Sequence, residues 1–185
     1  MLRALIPVLT ITAAASVFQM DDLGKGTYEV EQLYTAYARQ NHSTCQVRFT
    51  KWLPRQAGAA PAAGIRKKAG ENHYLQRGGI VMSATPDTTD PATGQSLLDI
   101  EMVASALVVR DEFKPQYRFA PDFKGNHTLA VTPRRDGSFE YLIAGAWSEG
   151  AVLKTWDDVQ AYVLRTAREY ESPVRVKATG VERRR

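Results

Sequence analysis

The sequence predicts a mainly antiparallel β domain, a sheet or sandwich, with one amphipathic α-helix near the C-terminus over 155–171. Three features of the sequence carry that reading. Short segments alternate apolar and polar residues, clusters of Gly, Pro, Asn and Asp separate them, and one late stretch has helical spacing between a cap and a proline. A chain of 185 residues, 44% apolar and 24% charged, has the profile of one ordinary globular domain with a real core. That domain is expected over 16–185.

Residues 1–15 read as a signal peptide. Met1-Leu2-Arg3 gives a positive start, 4–11 is largely apolar, and Thr12-Ala13-Ala14-Ala15 offers the small residues of a cleavage site. The expected location is therefore secreted or periplasmic. The competing reading is a buried first strand over 9–18. The apolar stretch is too short to span a bilayer as a helix, so no membrane partner is expected.

The stretch 21–45 reads two ways. Val30, Leu33, Tyr34, Tyr37 and Ala38 share a helical face, whereas Tyr28, Val30, Gln32 and Tyr34 alternate as a strand would. The helix, over 27–40, is the preferred reading. Cys45, Val47 and Phe49 alternate with Gln46, Arg48 and Thr50, which predicts a half-buried strand. Residues 56–72 are rich in Ala and Gly and predict a long loop. Residues 79–83 predict a short buried strand. The segment 97–110 predicts a longer one, with Leu98, Ile100 and Met102 on one face and Asp99 and Glu101 on the other. Residues 129–131 and 139–143 predict a hairpin with Asp136-Gly137 at its tip, because both residues tolerate positive φ.

The helix is the best-defined element. Thr155 followed three residues later by Asp158 has the spacing of a capping box, and Asp157 and Asp158 oppose the positive end of the helix dipole. Val159, Tyr162, Val163, Thr166, Ala167 and Tyr170 form one stripe, and Ser172-Pro173 ends the run. A short strand over 174–177 follows.

Composition excludes several functions. The net charge of +4 is modest and gathers partly in Arg66-Lys67-Lys68 and Arg183-Arg184-Arg185, without aromatics interleaved along a regular element, so no nucleic-acid partner is expected. An acidic polysaccharide fits the same charge. One cysteine, Cys45, permits no internal disulfide and no thiolate zinc site. No phosphate loop, dinucleotide fingerprint or zinc-protease helix occurs, and neither cofactor nor metal is expected.

Asp99 and Glu101, two residues apart on a strand, would share a face with Cα atoms ~6.6 Å apart. Enzymes acting on sugars pair an ionised with a protonated carboxyl at comparable spacing, although such pairs usually come from different strands, and a solvated strip is the plainer reading. His42, His73 and His127 each follow an asparagine, and a surface or turn role is the ordinary state of any one of them. Trp52, Trp147, Trp156, Tyr117 and Tyr141 could stack against sugar rings, with Trp156 better suited to the core.

The residues Tyr141, Gly145-Ala146-Trp147-Ser148, Trp156, Tyr162, Ala167 and Ser172-Pro173-Val174-Arg175-Val176, with Asn126-His127-Thr128-Leu129 before them, form a pattern over 126–176. It resembles the C-terminal end of an uncharacterised bacterial family found with polysaccharide-degradation genes, whose fold looks like a galactose-mutarotase β-supersandwich. The resemblance implies carbohydrate processing outside the cytoplasm by a lyase, a hydrolase or a fragment of one, and carries over no catalytic residue. On that expectation Asp99, Glu101 and His127 are the acid–base candidates, with Trp147 and Tyr141 as substrate-binding rings. The alternative is a non-catalytic module that binds glycan or protein partners.

Overall fold

A computed structural model describes residues 11–13, 18–21, 27–51, 60–67, 70–86, 100–120 and 125–172. Eleven strands occur among them: β1 (Ile11–Ala13), β2 (Phe18–Asp21), β3 (Thr27–Ala36), β4 (His42–Lys51), β5 (Ala62–Arg66), β6 (His73–Arg77), β7 (Ile80–Thr85), β8 (Val103–Val109), β9 (Gln116–Ala120), β10 (Asn126–Ala130) and β11 (Ser138–Trp147). A one-turn 3-10 helix (Asp111–Phe113) separates β8 from β9, and α1 (Trp156–Glu171) closes the described chain.

The large sheet runs β1-β3-β4-β11-β8-β7-β6, with β2 sharing β3, and the small sheet runs β5-β10-β9. Their strand pairs are antiparallel. Period-two alternation on the central strands feeds two cores. Val81, Leu107, Val109 and Phe139 face the small sheet, where they meet Ala63, Ile65 and Leu129. Met82, Ala104, Ala106, Val108 and Leu142 face the other way and meet Val159, Val163 and Ala167 of α1. The molecule is thus a β-sandwich-like stack of small sheet, large sheet and helix. Because both faces of β8 are covered, its sequence is a nearly unbroken apolar run.

The helix agrees with its sequence signature. Thr155 Oγ1 accepts from the Asp158 amide at 3.2 Å, and the Thr155 amide donates to Asp158 Oδ2 at 3.1 Å. The Thr155 hydroxyl and amide also hold the Asp158 carboxyl below its usual range. Val159, Tyr162, Val163, Thr166 and Ala167 are the buried stripe.

Several expectations are corrected. The preferred helix over 27–40 is strand β3: Val30, Gln32 and Tyr34 pair with Phe49, Val47 and Cys45 of β4. The long ladder with β4 overrides a helical stripe of only a few residues. The loop expected over 56–72 contains β5. Its small side chains hid it, and at Gly64 a Cβ would press on the His127 carbonyl oxygen of β10 at 3.0 Å.

The expected hairpin between 129–131 and 139–143 does not form. β10 belongs to the small sheet and β11 to the large one. Val131 and Thr132 donate to Pro61 O and Phe113 O at 2.8 Å, and Pro133 has no N–H with which to continue a ladder. The chain then crosses between sheets through a turn in which the Arg134 amide donates to Ser138 O at 2.8 Å and Gly137 adopts φ 78°. Of the strand expected over 97–110, residues 97–99 lie outside the described residues, 100–102 are not strand and β8 spans Val103–Val109; the strand over 174–177 also lies outside the described residues.

A polar clasp ties α1 to the turn between β3 and β4. The Asn41 amide donates to Tyr162 Oη at 2.9 Å, and His42 Nδ1 lies 2.7 Å from the same oxygen. Burial lowers the His42 pKa, with the Glu169 charge opposing it. The fold therefore prefers the neutral ring, and the unfolded chain binds more protons between the two pKa values. The clasp's contribution is full above pH 6.5, the ordinary imidazole value, and is lost as pH falls from there through the lowered folded value. Urea midpoints of the wild type should fall more steeply than those of His42→Gln between about pH 7.5 and about pH 5. Parallel curves would rule the clasp out as a source of pH dependence.

Candidate functional site

The small sheet places His127 on the inner face of its central strand β10, level with Ile65 of β5 and Phe119 of β9. Residues two apart on a strand share a face, so Tyr117 of β9 comes to the same side as Phe119. Across from them, Glu71 just before the edge strand β6 and Tyr74 within it approach the same ring. Side chains of β9 and of 71–74 thus converge on one imidazole.

His127 is 4% exposed. Its Nε2 stands 2.8 Å from Glu71 Oε2 and its Nδ1 2.9 Å from the Tyr117 hydroxyl. The Glu71 carboxylate only accepts, so Nε2 carries hydrogen and donates to it, and Nδ1 is left to accept from Tyr117 O–H. The result is a carboxylate–imidazole–phenol chain. Tyr74 stacks on the imidazole at 4.9 Å between ring centroids, and Phe119 lies 5.6 Å away, tilted. Burial, then the neighbouring Tyr117 hydroxyl and the Glu71 charge, push the Tyr74 pKa above the ordinary phenol value.

Large hydrophobics exposed among the described residues are Tyr74, Phe119, Trp147 and Val152. Two of the four flank the same buried histidine, where exposed rings otherwise scatter singly. Lys67 Nζ lies 5.5 Å from the Phe119 ring centroid. Gly125, at φ 78°, makes that approach feasible: a Cβ there would meet Phe119 Cζ at 3.2 Å and Lys67 Cβ at 3.5 Å. The Lys67 amide donates to Gly125 O at 2.8 Å and fixes the strand end that carries it.

The other expected site residues lie elsewhere. Asp99 is outside the described residues, and Glu101 is exposed in a bend before β8. Glu101 instead approaches the Trp147 turn, where its amide donates to Ser148 Oγ at 3.1 Å. Trp147 is 45% exposed at the end of β11, with none of the ring contacts that surround His127. Tyr141 packs between the sheets, its hydroxyl 3.4 Å from that of Tyr34, and burial with the Cys45 thiol pushes its pKa upward. His73 stacks on Trp156 at 5.1 Å, giving it a packing role.

Sequence reasoning missed Glu71, Tyr74, Phe119 and Lys67, and named Tyr117 only as a stacking ring. A signal existed in Tyr117-Arg118-Phe119, two aromatics at strand spacing, but nothing local joined it to Glu71. Among the described residues no group of three or more His, Cys, Asp and Glu could hold a metal ion, and no helix is long and apolar enough to cross a membrane.

Fold and site together define a helix-backed, β-sandwich-like domain with a buried histidine relay opening on exposed rings. The chain belongs to the family described as a domain of unknown function (DUF4861), whose model matches residues 9–176. No curated protein and no solved structure matches it.

Proposed function

We propose that the protein is a secreted or periplasmic carbohydrate-processing enzyme in which the Tyr117 hydroxyl exchanges protons with a sugar. The single observation that carries this reading is the pair of hydrogen bonds on opposite nitrogens of His127, to Tyr117 and to Glu71. As Tyr117 Oη takes a proton from substrate, its own proton passes to Nδ1, and the Glu71 carboxylate offsets the imidazolium charge. Tyr117 is the catalytic residue, while His127 and Glu71 position it and set its basicity. Tyr74 and Phe119 offer the apolar faces on which a pyranose ring stacks. The resemblance of 126–176 to a polysaccharide-linked, galactose-mutarotase-like family favours the same substrate class.

Tyr117→Phe keeps the ring and removes the proton-carrying oxygen. Its kcat on oligosaccharide should fall on the order of 10²–10⁴-fold with the fold intact by circular dichroism. His127→Gln should lower kcat with little change in KM, since it acts through Tyr117. Unchanged turnover in Tyr117→Phe would remove the assignment.

A second reading is favoured by the depth of His127, covered by Tyr74 and shielded from water. There the chain is a non-catalytic glycan-binding module whose relay holds the small sheet against β6. Saturable quenching of intrinsic fluorescence by oligosaccharide without any product would select it.

A further inference from the structure

We propose that the substrate is an acidic, uronate-bearing glycan and that the reaction is a β-elimination, an assignment that rests on the proton-transfer reading of Tyr117. Two independent observations lead there. The first is charge. Lys67 stands against the exposed Phe119 ring, is itself exposed, and forms no ion pair with a carboxylate among the described residues. Glu71, the carboxylate that reaches His127, is committed to that ring. An exposed ammonium that pairs with none of the described carboxylates, beside an aromatic shelf, suits a sugar that carries its own carboxylate.

The second observation concerns which chemistry the side chains can run. Glycoside hydrolysis places two carboxyl groups on opposite sides of the scissile bond. Around His127 the described residues supply a phenol, an imidazole and one carboxylate already hydrogen-bonded to the imidazole. Elimination needs instead one base, one proton return path and a cation for the substrate carboxylate; Tyr117 and His127 offer the first two, and Lys67, against the Phe119 ring that borders His127, is the cation on the same aromatic shelf.

The step balances without water. Tyr117 Oη passes its proton to His127 Nδ1 and takes the proton on the carbon α to the substrate carboxylate. The C–H electron pair forms a C=C bond to the β carbon, and the bond from that carbon to the glycosidic oxygen breaks. The leaving oxygen takes the proton from Tyr117 Oη, which recovers its own from His127. Lys67 offsets the charge that builds on the carboxylate as the α proton leaves. The products are a conjugated unsaturated uronate and a free sugar hydroxyl.

The test uses the full chain with polygalacturonate, alginate and hyaluronate as acidic polymers, and dextran and a mixed-linkage β-glucan as neutral ones. Far-ultraviolet absorbance reports the conjugated double bond and mass spectrometry reports the products. The expected result is absorbance growth on an acidic polymer, with product masses that sum to the substrate mass. Lys67→Gln should lower kcat/KM on the order of 10-fold, less than the 10²–10³ of a buried oxyanion donor because Lys67 is exposed. Lys67→Arg should restore most of it. Cleavage of neutral polymers at comparable rates, products that have gained water, or an undiminished Lys67→Gln would overturn this inference and leave the proton-transfer reading standing. No turnover of any polymer, acidic or neutral, would remove both.

Discussion

Val163→Asp is expected to abolish cooperative folding. Val163 is 0% exposed and lies in the core between α1 and the large sheet, among Met82, Ala106, Val108 and Leu142. The change removes an apolar side chain whose burial is worth about 1.5–3 kcal/mol. It also places a carboxyl inside a buried, mainly apolar cluster, at a cost of several kcal/mol more whether the group ionises or takes a proton. The sum matches the whole stability of a typical domain, about 5–15 kcal/mol. Urea denaturation followed by near-ultraviolet circular dichroism should show no cooperative transition. Val163→Ala, which loses two methyl groups but gains helix propensity, should retain one at a cost on the order of 1–3 kcal/mol. A wild-type midpoint in Val163→Asp would mean that α1 is not docked on the sheet.

Gly79→Ala should be nearly as damaging, for a different reason. A Cβ at Gly79 would stand 2.0 Å from the Val109 carbonyl oxygen and 3.0 Å from Pro115 Cγ. Neither neighbour is the free end of a flexible side chain, so the backbone itself must part. The Val109 amide donates to Gly79 O at 2.8 Å, and that bond would be strained with it. A loss of about 3 kcal/mol or more is expected. Gly145→Ala is the matched comparison. Its Cβ would meet Ala104 O at 3.9 Å, an ordinary contact, and its stability should change by roughly 0.5 kcal/mol or less. Equal midpoints for the two variants would show that the approach at Gly79 relaxes without cost.

The local parts of this fold were legible. The Thr155–Asp158 box and the Val159–Ala167 stripe depend on residues three and four apart, and each appears as read. The alternation in Cys45, Val47 and Phe49 likewise gave β4 its faces. Where two local patterns competed, as over 27–40, sequence spacing could not weigh a helical stripe against a ladder with a strand not yet placed. β5 failed for a related reason: Ala62-Ala63-Gly64-Ile65-Arg66 has little side chain to alternate, and its identity as a strand comes from β10 beside it.

By itself the sequence determined a mainly β chain with one capped helix, modest positive charge and a single cysteine. The tertiary structure alone decided that β10 and β11 part company into two sheets, that Glu71 meets a histidine 56 positions later, and that Glu101 sits in a bend before β8 rather than on a strand. The physical reason is range. Periodicity and capping are interactions between near neighbours, whereas the sheet a strand joins, and the side chains that its inner face then meets, depend on hydrogen bonds and burial between segments that local spacing cannot relate.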